Sequence, residues 1–109
     1  MKVSEAYKSI GISMTNPRGQ SWGVAQGDRV VLTAWREECR GMRVMVLCQG
    51  YEKPSRVEHL EMIRNGTPGF LFLATRKPSG EIEDVSSVLF QITALEEDNG
   101  NIYAKISRV

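Results

Sequence analysis

At 109 residues the chain fits one domain that buries about two-thirds of its unfolded surface. An apolar content of 41% with 25% charged residues excludes a disordered chain, and no run approaches the ~20 apolar residues that cross a bilayer. The net charge of +1 is too small to imply nucleic acid or acidic lipid by itself, although residues 1–56 carry nine basic and five acidic groups and residues 57–109 five and eight, an asymmetry of the kind that marks faces of opposite potential.

Along the chain, Val3, Ala6, Tyr7 and Ile10 follow helical spacing, which predicts a short N-terminal helix through Ser9, with extended chain from Gly11. Asn16-Pro17-Arg18-Gly19 reads as a turn. Ser21 to Gln26 is a short strand carrying Trp22, and Gly27-Asp28 turns the chain into the β-rich run Arg29 to Glu38. With Met42 to Gly50 this run predicts a hairpin closed by Arg40-Gly41, in which Cys39 faces Met42, Trp35 faces Val46 and Thr33 faces Cys48. Val30, Leu32, Ala34, Met45 and Leu47 then share one face, and Val31, Trp35, Met42, Val44 and Val46 the other. Both faces are apolar, so the pair requires cover on two sides.

The clearest helix lies within residues 53–66, about 55–65 at its centre. Ser55 with Glu58 forms a capping-box pattern, Val57, Leu60 and Ile63 make the apolar stripe, Arg56, Glu58, Glu61 and Asn65 the polar side, and Gly66 the stop. Gly69 to Thr75 is a continuous apolar run, read as a fully buried central strand. Lys77 to Asp84 reads as a polar loop around Pro78-Ser79-Gly80. Val88 to Glu97 and Ile102 to Arg108 flank Asn99-Gly100, the pair suited to a type I′ turn. That register sets Leu95 against Ala104, Thr93 against Ile106 and Glu96 against Tyr103. The class is α+β: an antiparallel strand-rich sheet, or a partly open barrel, of about five to six strands with one clear helix and a short N-terminal one, in a single domain.

The inventory of reactive side chains offers no catalytic motif. One histidine and two cysteines without CxxC or HExxH spacing do not make an ordinary zinc site, and neither GxGxxG nor GxxxxGK[ST] is present. No metal, cofactor or enzymatic activity is expected. In the proposed hairpin Cys39 and Cys48 lie ~20 Å apart along the strands, too far for a disulfide. Free thiols agree with the cytoplasmic location expected for an N-terminus, Met1-Lys2-Val3-Ser4-Glu5, that lacks a signal-peptide core.

Two constellations remain. A pocket between the helix and the sheet would be lined by Trp35, Tyr51, Leu60, Ile63 and Phe72, with Arg36 or His59 as polar anchor for a small molecule. Alternatively, Arg18, Trp22, Arg29, Trp35, Arg36, Arg40, Arg43 and Tyr51 form a basic aromatic stretch within residues 18–56 that would stack bases and neutralise phosphates. With both tryptophans in the core, the arginines would be solvated edge charges.

Gly27-Asp28-Arg29-Val30-Val31-Leu32, a turn feeding a strand, resembles the strand entry of small barrels, PUA-like RNA-binding domains among them. In its compactness and absence of motifs the chain also resembles the small proteins of environmental integron gene cassettes. That likeness implies an unusual α+β fold and frequent homo-oligomerisation. The reading that follows is a non-catalytic binding module that self-associates through an apolar sheet face, a two-fold dimer by preference since such symmetry is the commonest. The alternative is a nucleic-acid-binding accessory protein, and no membrane partner is expected.

Overall fold

In the computed structural model, residues 1–14 and 22–109 are described. The turn expected at Asn16-Pro17-Arg18-Gly19 lies outside the described residues, and so does Arg18. The elements are α1 (Val3–Lys8), β1 (Gly23–Gln26), β2 (Arg29–Trp35), a 3-10 turn (Arg36–Glu38), β3 (Arg43–Leu47), α2 (Pro54–Arg64), β4 (Gly69–Arg76), β5 (Ile82–Val85), β6 (Phe90–Asp98) and β7 (Asn101–Arg108). The class is α+β, with a mostly antiparallel open sheet of seven strands in the order β1-β2-β4-β6-β7-β3, and β5 pairs β4 off this path.

Residue chemistry accounts for the central strands. β4, the apolar run Gly69–Arg76, pairs in parallel with β2 and antiparallel with β6, and two-sided burial is what a continuous apolar sequence requires. Alternation then sorts its side chains. Leu71 and Leu73 join Val30, Leu32, Ala34, Val44, Val46, Leu60, Ile92 and Ile106 in one cluster, while Phe72 and Ala74 join Ala6, Tyr7, Ile12, Val31 and Val85 in the other. Because the first cluster draws on β2, β3, β4, β6, β7 and α2, the sheet curls around it. The second is the outer face of β2 and β4, continued in the sheet by β5 and covered by α1. Both faces of β2 and β4 thus receive cover from the chain's own elements.

The C-terminal hairpin forms at Asn99-Gly100, whose φ angles of 52° and 83° meet the type I′ requirement. Leu95 opposes Ala104 and Glu96 opposes Tyr103 as expected. Thr93 does not oppose Ile106: a bulge between Ile92 and Ala94 leaves Ile92 against Ile106, and a bulge inserts an unpaired residue that no hydrophobic pattern announces.

The expected β2–β3 hairpin is the main correction. β2 ends at Trp35, the 3-10 turn intervenes, and β3 pairs with β7 at the far end of the sheet. Only its tip survives. Cys39 bridges Val44, and Arg40 and Arg43 exchange backbone bonds of 2.8 and 3.2 Å across Gly41-Met42, whose φ angles are 59° and 62°. The turn centre is therefore one residue later than expected, since a methionine occupies a left-handed position that sequence rules reserve for Gly or Asn. With the 3-10 turn separating β2 from β3, and β3 paired to β7, Val44 and Val46 join Val30, Leu32 and Ala34 in one cluster, opposite to the face predicted for them. Leu47, past a register shift in β3, keeps its predicted side.

Three smaller differences follow. Ile82–Val85, expected as part of a loop, is a seventh strand that pairs Ala74 with Val85 and Thr75 with Asp84. Helix α2 starts at Pro54 with Lys53 as its cap residue and no side-chain cap. Ser55 therefore lies inside the first turn, as expected where proline occupies the first helical position. Along α2 only Leu60 is fully buried, Val57 is exposed, and Arg56 turns inward with His59 and Ile63. No helix among the described residues is long and apolar enough to cross a membrane.

Candidate functional site

Past the Cys39–Val44 bridge, β2 and β3 part instead of pairing, and Arg56 of α2 fills the gap. Its Nη2 donates to the carbonyls of Trp22 (2.7 Å) and Thr33 (2.9 Å), and its Nη1 to that of Val46 (2.9 Å). One guanidinium thus links the β1–β2 side of the sheet to β3. Behind it, the Tyr7 hydroxyl meets Thr33 Oγ1 at 2.8 Å, and burial pushes the Tyr7 phenol up to about 12. Burial also pulls Arg56 down to about 10, so the side chain remains a cation at neutral pH. No carboxylate among the described residues pairs with it.

In front of Arg56 opens a cavity of about 240 Å³ whose wall includes Trp22, Trp35, Met45, Cys48, Tyr51 and His59. Trp22 and Trp35 meet edge to face with ring centroids 4.7 Å apart, a favoured aromatic geometry. Trp35 is held on another side by Arg76, whose guanidinium carbon lies 4.7 Å from the ring centroid and which is paired with Glu37. Tyr51 stands at the rim, 79% exposed. Lys53 and Ser55 from the start of α2 and Glu38 from the 3-10 turn also border the opening.

His59 is placed by a close approach of backbone. A Cβ on Gly23 would lie 2.9 Å from His59 Nδ1 and 3.1 Å from Leu32 Cδ2, so β1 admits the imidazole only because residue 23 has no side chain. Gly23→Ala is expected to expel His59 from the wall, seen as a shift of its imidazole resonances, at a stability cost of about 1–3 kcal/mol. Burial, then the Arg56 charge, holds the His59 pKa below its usual value against the opposing pull of Glu58. A lowered folded pKa means that the contribution of neutral His59 is fully present above the unfolded value of about 6.5 and is lost as pH falls through the folded one. Denaturation midpoints should therefore drop on acidification below about pH 6.5, and His59→Gln should remove that part of the slope.

Of the pocket residues expected from sequence, Trp35, Tyr51 and His59 meet at this cavity. Leu60 is instead core, at 1% exposure. Ile63 packs under Gly69 and borders a separate concavity at the far end of α2. Phe72 belongs to the opposite cluster, on Tyr7, because adjacent residues of a strand face opposite sides. Arg36 is exposed on the 3-10 turn and does not line the cavity.

The basic stretch is dispersed. Trp22 reaches the cavity, but Arg29 donates to the Ile10 carbonyl, and Arg43 lies 3.8 Å over the Tyr103 ring and 3.1 Å from Glu96. Arg40 is exposed in the turn before β3. Cys39 and Cys48 are free thiols, the latter on the cavity wall. Sequence reasoning missed Arg56, although residues 56, 59, 60 and 63 share helical spacing. Charge outweighed period there, and Arg56 was set on the polar side.

Comparison with protein families, curated proteins and solved structures returned no match.

Proposed function

We propose that the chain is a non-catalytic binding module whose cleft between α2 and the parted ends of β2 and β3 receives a flat aromatic group. The observation that carries this reading is the convergence of Trp22, Trp35 and Tyr51, distant in sequence, on one cavity with Arg56 behind it. Rigid aromatic walls with few polar anchors are the usual make-up of a ligand pocket. The volume of about 240 Å³ exceeds the ~150 Å³ that admits benzene and lies below the ~300–1,000 Å³ of drug-sized sites, so it suits one substituted ring system. A thermal-shift and tryptophan-fluorescence screen of aromatic compounds is the test. Hits should quench the fluorescence and lose at least about tenfold in affinity in Trp35→Ala, the scale of one aromatic stack. A broad screen without a stabilising compound would refute the ring site.

A second reading takes the ring to be a base of a nucleic-acid strand, in keeping with the resemblance of Gly27–Leu32 to PUA-like barrels. It is supported by Lys53 and Tyr51 at the rim, a cation and an exposed ring of the kind that single strands use. It requires single-stranded oligonucleotide binding that falls steeply with salt.

A further inference from the structure

We propose that the occupant of the cleft is an aromatic acid: a flat ring against the tryptophan pair, with its carboxylate on Arg56. This rests on reading the cleft as a ring site and names the chemistry of the ligand. Three backbone carbonyls fix the guanidinium in place but bring no negative charge. Of its five N–H donors, one on Nη1 and the one on Nε have no acceptor among the described residues.

Among the described residues no buried side-chain nitrogen is left without any partner, so Nε, which has none, is not sealed in the protein. Arg56 itself borders the cavity, which leaves the cavity as the place where Nε finds an acceptor. A cation that has lost solvent without gaining an anion is costly. An oxyanion that enters beside it replaces both the missing charge and the missing acceptor, and hydrogen bonds between charged partners are roughly twice as strong as neutral ones.

The other ionisable groups on the wall are compatible with an acid. Lys53 and Arg56 are cations and Glu38 is the single carboxylate, while His59 is held toward its neutral form. The ring and the charge must also lie close together in the ligand, because tryptophans and guanidinium share one cavity of about 240 Å³. A bulky ligand with a remote acid does not meet both.

The test compares two probes of equal shape on the wild-type protein, indole-3-carboxylate and indole-3-carboxamide. Binding is followed through the side-chain N–H resonances of Trp22 and Trp35. The acid is expected to bind at least about tenfold more tightly than the amide, the scale of a charge-assisted hydrogen bond. In Arg56→Gln, if it keeps a native spectrum, that preference should fall to near unity. If the variant unfolds, the wild-type pair still decides.

Equal affinity for acid and amide would overturn the aromatic-acid proposal and leave the ring site standing. Failure of both probes to move either tryptophan would overturn the two together. Movement by a single-stranded oligonucleotide alone would assign the cleft to a base and also overturn the proposal.

Discussion

Replacing Arg56 by Met is expected to destabilise the protein by about 3 kcal/mol or more, since three hydrogen bonds from a charged donor are lost and each buried carbonyl left without a partner costs about 1–3 kcal/mol. Methionine retains much of the apolar stem but none of the donors. The carbonyls of Trp22, Thr33 and Val46 would lose their shared partner, and the β1–β2 side would lose its tie to β3. Against a total of about 5–15 kcal/mol for a domain this is a large share, equivalent to a fall in Tm of more than about 10 °C at this chain length. Urea denaturation followed by far-UV circular dichroism measures it. Arg56→Lys should recover only part, since an ammonium lacks the planar fork that reaches three acceptors at once. A loss below about 1 kcal/mol, the worth of a single ordinary hydrogen bond, would show that the guanidinium does not hold the sheet together.

Phe72→Ala is expected to cost about 3–5 kcal/mol, the range for deleting a buried aromatic ring. Phe72 is fully buried, and its ring packs on Tyr7 with centroids 5.6 Å apart. The truncation opens a cavity beneath α1, on the face of β4 opposite Leu71 and Leu73. The folded fraction should bind a cleft ligand with unchanged affinity, because Phe72 belongs to the cluster on the outer face of β2 and β4. A combined loss of stability and affinity would connect the two faces through β2. Isothermal titration at low temperature, where the variant is folded, separates these results.

Much of the local structure was legible because it depends on neighbours in the chain. Asn99-Gly100 specifies its turn through two positive φ angles, and the run from Gly69 can only be satisfied by burial on both sides. The start of α2 was misplaced by a residue because Pro54 took the first helical position ahead of Ser55. The seventh strand was hidden because Ile82–Val85 is short, polar and at an edge, where pairing with β4 rather than hydrophobic period creates it. The candidate site was legible in part. Trp35, Tyr51 and His59 were named, but Leu60, Ile63 and Phe72 were grouped with them on general apolar character, before their faces could be known.

What the residues determine unaided is the α+β class, the two helices, the central strand and the C-terminal hairpin, since each follows from periodicity, turn chemistry and burial within a short segment. Which strands become neighbours is decided only in the folded chain. The segment Arg29–Leu47 has the pattern of a continuous hairpin, yet β2 gains more by lying between β1 and β4, and β3 by joining β7. The parting of those two strands creates the cleft, draws a helical arginine into the gap and turns two tryptophans toward a cavity. No local pattern encodes that outcome, because it depends on the competition between distant partners for the same strand edges.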